Sequence, residues 1–216
     1  MVLPASAMAV SDQIQSPTET AFTGGSGPGG RFLLDAGNQA QLLNNDPAPG
    51  AEHNVVAEAD GPDGGRLFET DLIPAGPNPV PVRGTEYLTA GDYAFVCTIH
   101  FGMEGTLRVT GAGAVPRPAV SLQVVSSKLA RVAKGKLKLA VEAGAASPGV
   151  SVVARVGKRT LPAVEGVDLA AGERRKLTLR LDRAARTSLE GAKRAKVTLR
   201  AEVPYGAPAS ARRTLR

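Results

Sequence analysis

The sequence has no tryptophan, one cysteine and two histidines in 216 residues. A single thiol, Cys97, cannot form an intramolecular disulfide, so the chain is no disulfide-stapled scaffold. No run of about 18 apolar residues occurs, so nothing reads as a transmembrane helix. Aromatic residues amount to only 4%. Residues 116–216 hold a single one, Tyr205, which leaves a nucleic-acid reading without rings on which bases stack. The stretch Gly24 to Gly30 is glycine-rich and reads as flexible, but no Gly-Lys-Ser/Thr follows, so it does not read as a phosphate cradle.

What the chain has in quantity is glycine (25) and proline (16), the punctuation of many turns and short strands. Asn44-Asn45-Asp46-Pro47 is a turn signal, and the four prolines within residues 74–81 exclude a central strand there. His53-Asn54-Val55-Val56-Ala57, Gly91 to Cys97 and Thr106 to Thr110 read as strands. About six to eight short strands in about 90 residues is the pattern of a β-sandwich. From Val120 onward, apolar residues alternate with Lys, Arg or Thr in Ser121–Val125, Lys136–Val141, Val150–Val156, Lys176–Leu181 and Lys196–Val203, giving strands with one buried and one charged face. Asp182 to Lys193 has room for one or two helical turns. The fold class is therefore all-β.

Charge divides the chain as well. Residues 1–115 carry 4 Lys/Arg against 13 Asp/Glu, a net of −9, whereas residues 116–216 carry 22 against 7, a net of +15. Opposite signs point to two domains facing different partners. With a small, proline-containing stretch between them, the expected boundaries are a first domain over 20–111, a linker over 112–119 and a second domain over 120–216.

The rarest residues are the most informative. Cys97, His100 and Met103 lie within seven residues, and His53 is the other histidine of the chain. An ion that alternates between Cu(I) and Cu(II) needs a soft thiolate, borderline imidazoles and a weak axial ligand. One loop can supply Cys, His and Met; His53 would come from a neighbouring strand. Zinc is disfavoured because a thioether is a poor zinc ligand. A Cys97–His53 nucleophile pair would leave Met103 unexplained, and a buried apolar cysteine beside a surface histidine is the bland reading.

These segments resemble the cupredoxins, the plastocyanin, amicyanin and pseudoazurin family, over roughly residues 30–110. Asn44-Asn45-Asp46 with His53-Asn54-Val55-Val56 is similar to the family's first-ligand segment. Gly91 to Cys97 is similar to the strand entering its cysteine, and Gly102-Met103-Glu104-Gly105-Thr106-Leu107-Arg108-Val109 to the strand leaving its methionine. The two residues between His100 and Met103 are closer to amicyanin than to plastocyanin. Departures are Leu42 and Leu43 where an aromatic residue is common, and a longer, proline-rich segment between Asp46 and His53.

The resemblance implies a Greek-key cupredoxin sandwich holding one type 1 copper ion, with His53, Cys97 and His100 as strong ligands and Met103 as the weak axial one. Asn54 would supply hydrogen bonds near the sulfur and tie the ligand loops together. The implied activity is single-electron transfer between redox partner proteins through the edge around His100, rather than enzymatic turnover. Related oxidases and nitrite reductases need further histidines, which this chain does not have. Copper storage or delivery, and an adhesion protein carrying a copper module, are the alternatives.

The second half is similar in pattern to the immunoglobulin-like domains of exported bacterial proteins. Its Lys/Arg strands read either as a solvated face or as a surface for an anionic cell-envelope polymer or a membrane. Ala7-Met8-Ala9 has the small-x-small pattern that ends an export signal, without a charged start before it. Together these give the expectation of an exported protein, periplasmic, cell-surface or secreted.

Overall fold

Apolar residues that recur at a period of two, interrupted by glycine and proline, can bury one face only as strands. A computed structural model describes residues 12–216, and the protein is all-β, with two short α-helices and two single 3-10 turns among the described residues. Ala7-Met8-Ala9 lies outside them. The chain divides into two compact units, with the boundary between Val115 and Pro116.

The first unit contains β1 (Gln13–Thr18), β2 (Ala21–Thr23), β3 (Phe32–Asp35), β4 (Gln41–Leu43), β5 (Glu52–His53), β6 (Val56–Ala57), β7 (Ile73–Pro74), β8 (Val80–Pro81), β9 (Gly91–Val96) and β10 (Glu104–Thr110). They form one sheet in the order β2-β1-β4-β8, another in the order β3-β10-β9-β6, and the pair β5-β7. Alternate residues of both sheets, among them Ile14, Leu34, Leu42, Phe95, Leu107 and Val109, pack into one core. Phe95 sits among Phe22, Phe32 and Phe68, with ring centroids 5.1, 5.7 and 6.4 Å away. Its cross-strand partner on β10 is Gly105. A Cβ there would lie 2.4 Å from the Phe95 ring, so only glycine lets the ring come this close to the neighbouring backbone.

Two sequence expectations change here. The segment 24–30 is not loose. The Asp12 carboxylate accepts the Leu33 N–H (2.7 Å), the Ser26 N–H (2.9 Å) and the Ser26 hydroxyl (2.7 Å), which pins the loop to β3. A Cβ on Gly25 would stand 2.3 Å from the Gly30 carbonyl, so the loop folds tightly back on itself. The strand expected over His53–Ala57 is broken at Asn54 and Val55. The Val55 N–H leaves the ladder for Thr70 Oγ1 (3.0 Å), and the chain passes from the β5-β7 pair to the β6-β9 pairing.

The second unit contains β11 (Ala119–Val124), α1 (Leu129–Ala133), β12 (Lys136–Ala145), β13 (Ser147–Val156), β14 (Arg159–Thr160), β15 (Val164–Leu169), β16 (Arg174–Arg180), α2 (Arg183–Thr187), β17 (Ala195–Val203) and β18 (Gly206–Leu215). Its sheets run β11-β12-β16 and β14-β13-β17-β18, with β15 also on β13. Leu137, Leu139 and Val141 of β12 share one core with Val150 and Val152 of β13 and Val197 and Leu199 of β17. The helix α2 is capped by Asp182, which accepts the Ala185 N–H at 2.6 Å. β15 and β18 have no counterpart in the sequence reading. Bulges interrupt the first, and the second opens on a run of small residues and a proline with few β-branched ones.

Gly105→Ala should destabilise the first unit by about 1–3 kcal/mol through overpacking against Phe95, read as a lowered urea midpoint. An unchanged midpoint would contradict the close approach. Burial works to raise the Asp12 pKa, but the Leu33 and Ser26 N–H groups and the Ser26 hydroxyl overcome it, so the carboxyl titrates below the ordinary aspartate value. A lowered folded pKa gives stability that is complete above about pH 4 and lost as pH falls through the folded value. Asp12→Asn should therefore cost about 1–2 kcal/mol at neutral pH and flatten the acid limb of the pH–stability curve. Superimposable acid limbs for the two proteins would sink this assignment.

Candidate metal centre

The β9-β10 hairpin places the candidate residues. Its last pair is Val96 opposite Glu104. Beyond it the Cys97 N–H donates to the Met103 carbonyl at 3.0 Å, and the Met103 N–H donates to the His100 carbonyl at 3.2 Å. Gly102, at φ +77°, provides the left-handed turn that brings the chain back. Cys97 and Met103 are thereby opposed at the neck of the loop, both buried, and His100 sits at its half-buried tip. All three line one recess. Strand alternation decides the direction of the cysteine: Phe95 enters the core, and two residues later Cys97 points to the same face.

His53, at the end of β5, comes from the other side and is fully buried. Its Nδ1 lies 4.0 Å from Cys97 Sγ and 3.1 Å from His100 Nδ1, and His100 Nδ1 is 3.4 Å from Cys97 Sγ. The three atoms form a triangle whose centre is about 2 Å from each corner, the length of a metal–nitrogen bond. His53, Cys97 and His100 thus make a cluster that could hold a metal ion. Met103 adds a buried thioether in the same recess. Thiol, thioether and imidazole donors together fit a soft or borderline ion rather than a hard one.

Asn54 fastens the two sides. Its Oδ1 accepts the Thr98 N–H at 2.8 Å and its Nδ2 donates to Thr98 Oγ1 at 2.9 Å. Its amide therefore grips the residue after Cys97 rather than the sulfur itself. This side chain joins the two segments that carry donor atoms, next to the β6-β9 pairing.

The residue that sequence reasoning missed is Asp46. Its Oδ2 lies 3.1 Å from His53 Nε2, and both side chains are buried. The pKa of Asp46 is lowered, first by the Ala48 N–H on its Oδ1 and then by the His53 ring, against the opposing effect of burial. An ionised carboxylate only accepts hydrogen bonds, so the proton of that contact belongs to Nε2, and Nδ1 keeps its lone pair toward the cluster. The loop is built for this. Buried Asn44 donates to the Ala51 carbonyl (3.1 Å) and the Ile73 carbonyl (2.8 Å) and accepts the Asp46 N–H (3.1 Å). The segment from Asp46 to His53 folds back so that the acid meets the imidazole. In the sequence, Asn-Asn-Asp-Pro reads as a turn and as part of the segment resembling a first-ligand segment, and neither reading gives the acid a role of its own.

In the metal-free protein, 15N NMR should find His53 as its Nε2–H tautomer, and Asp46→Ala should give a mixture of tautomers. A His53 carrying its proton on Nδ1 in the unsubstituted chain would contradict the arrangement.

No family model matches the chain, and no curated protein matches it. Solved structures match parts of the chain at low scores. One is a Cu-containing nitrite reductase from Thermus scotoductus SA-01, at 19% identity and a TM-score of 0.34, covering 52% of this chain and 25% of that one. A reduced mutant of amicyanin matches at 20% identity and 0.28, covering 44% of this chain and 95% of its own. A DUF3823 family protein from Parabacteroides merdae ATCC 43184 matches at 12% identity and 0.32, covering 85% and 97%. The chain spans a quarter of the nitrite reductase's length. Scores this low carry neither ligand nor activity from one chain to another.

Proposed function

We propose that the first unit is a cupredoxin-type domain that binds one copper ion and passes single electrons between partner proteins. His53, Cys97 and His100 would hold the ion through Nδ1, Sγ and Nδ1, with Met103 as the weak axial donor. The observation that carries this reading is the convergence of those three atoms within 4.0 Å of one another.

Copper bound there would supply a one-electron couple. The protein's part is to hold the donors still. Hairpin closure fixes Cys97 and Met103, Asp46 orients His53, and Asn54 ties the two segments together. A donor set fixed by the fold has little to rearrange when the charge of the site changes, which favours rapid transfer. His100 leads from the buried donors to solvent, flanked by half-exposed Ile99 and fully exposed Phe101. That apolar rim suits a brief contact with a partner protein, and the net charge of −9 over residues 1–115 would steer a cationic one.

Adding Cu(II) to the purified chain should give an intense thiolate-to-copper charge-transfer band with narrow copper hyperfine splitting, abolished in Cys97→Ser. Met103→Gln should keep the band and lower the reduction potential. A pale, ordinary Cu(II) spectrum overturns the copper reading, and an unchanged potential in Met103→Gln removes the axial assignment.

A further inference from the structure

The second unit presents a face that the metal centre does not explain. On β12 the period of two sends Leu137 and Leu139 into the core and Lys136 and Lys138 outward. On β16 it sends Lys176, Thr178 and Arg180 outward, all exposed. The register sets Lys136 opposite Arg180, Lys138 opposite Thr178 and Lys176 opposite Ala140. Cross-strand neighbours lie about 5 Å apart and same-face residues along a strand about 6.7 Å apart, so four cations form a compact two-row array.

The array is not neutralised from within. Like charges directly opposite each other weaken a sheet, yet Lys136 faces Arg180. Among the described residues none of the four cations is in an ion pair. The nearby acids are engaged elsewhere, Glu142 of β12 with Arg174 at 3.7 Å and Glu173, just before β16, with Arg175. Beyond Lys136 the charge continues. Lys134 is exposed, and Arg186 lies close over Gly135, its Cδ 3.2 Å from where a Cβ would stand. Asp182 in that region is occupied as the cap of α2.

We propose that this face binds an extended, base-free phosphodiester polymer lying along β12 and β16. The two rows offer repeated charge along one direction, which matches a linear polyanion rather than one small anion held by solvated lysines. Release of several counterions supplies the affinity. A bilayer would need apolar side chains to insert, and the large exposed apolar residue of this unit is Val125 alone among those described. Nucleic acid would need rings to stack on, and Tyr205 is the one aromatic residue of residues 116–216.

The test uses the full chain and poly(glycerol phosphate) of defined length, with binding followed by calorimetry across a salt series. The logarithm of the affinity should fall linearly with log salt, with a slope of about −0.7 per phosphate neutralised. Lys138→Glu with Lys176→Glu should weaken binding at least about tenfold, as removing two of the contacts implies. The same reversal at Lys158 and Arg159, outside the array, should leave it within about twofold. If the Glu pair does not fold, the Lys138→Gln, Lys176→Gln pair takes its place, with a smaller loss in the same direction. Equal losses from the two pairs would reduce the effect to net charge and overturn the proposal. So would tighter binding to phosphatidylglycerol vesicles than to the polymer. Salt-sensitive self-association abolished by the array variant, with no polymer binding, would instead assign the face to the acidic unit of a second copy. None of these outcomes depends on copper.

Discussion

The candidate centre depends first on how the β9-β10 hairpin closes. One backbone bond, from the Cys97 N–H to the Met103 carbonyl, sets the width of the loop neck and opposes those two residues. Once the neck is set, the seven residues from Cys97 to Met103 must turn within a fixed span, and Gly102 allows it. His100 is then forced to the tip, where it is half buried. The core secures the strand just before the loop, because Phe95 sits locked among three other rings and against Gly105. Packing deep in the sandwich therefore transmits to the direction in which the cysteine points.

How much of this the chain reveals in advance depends on the range of each interaction. Cys97, His100 and Met103 are close in sequence, and their donor chemistry is rare, so composition and spacing suffice to group them. His53 joins them because it is the one remaining histidine. Asp46 is invisible by such reasoning. Its importance arises from a loop that Asn44 pins to Ala51 and Ile73, and no local pattern reports a contact of that kind. The same contrast holds for the fold. Strands with regular alternation, such as β12 and β17, are legible, whereas β1 is polar in sequence and becomes a strand by pairing in parallel with β4. The break at Asn54 and Val55 escapes notice because Val55 and Val56 carry a strand pattern past the one asparagine, and Thr98 and Thr70 draw Asn54 and Val55 out of it.

The two units bury their cores by the same rule and differ in what they do with the outward faces. In the first, most basic residues are committed to acids, as in the Arg108–Asp92 and Arg83–Asp71 pairs, and the excess is negative. In the second, the array on β12 and β16 is left uncompensated. Exposed ion pairs add little stability, so these patterns are better explained by what each surface meets than by folding energy.

Burial of Asp46 and His53 argues in the same direction. Taking a carboxylate and an imidazole out of water is unfavourable unless every polar atom finds a partner, and an apolar pair of similar size would often stabilise the fold at least as well. The chain nonetheless dedicates the Ala48 N–H to Asp46 and anchors its loop through Asn44. Such investment in a polar contact is expected where orientation matters more than stability. Here the thing oriented is one lone pair, that of His53 Nδ1, and it faces the two other donor atoms across a gap that a single ion would fill.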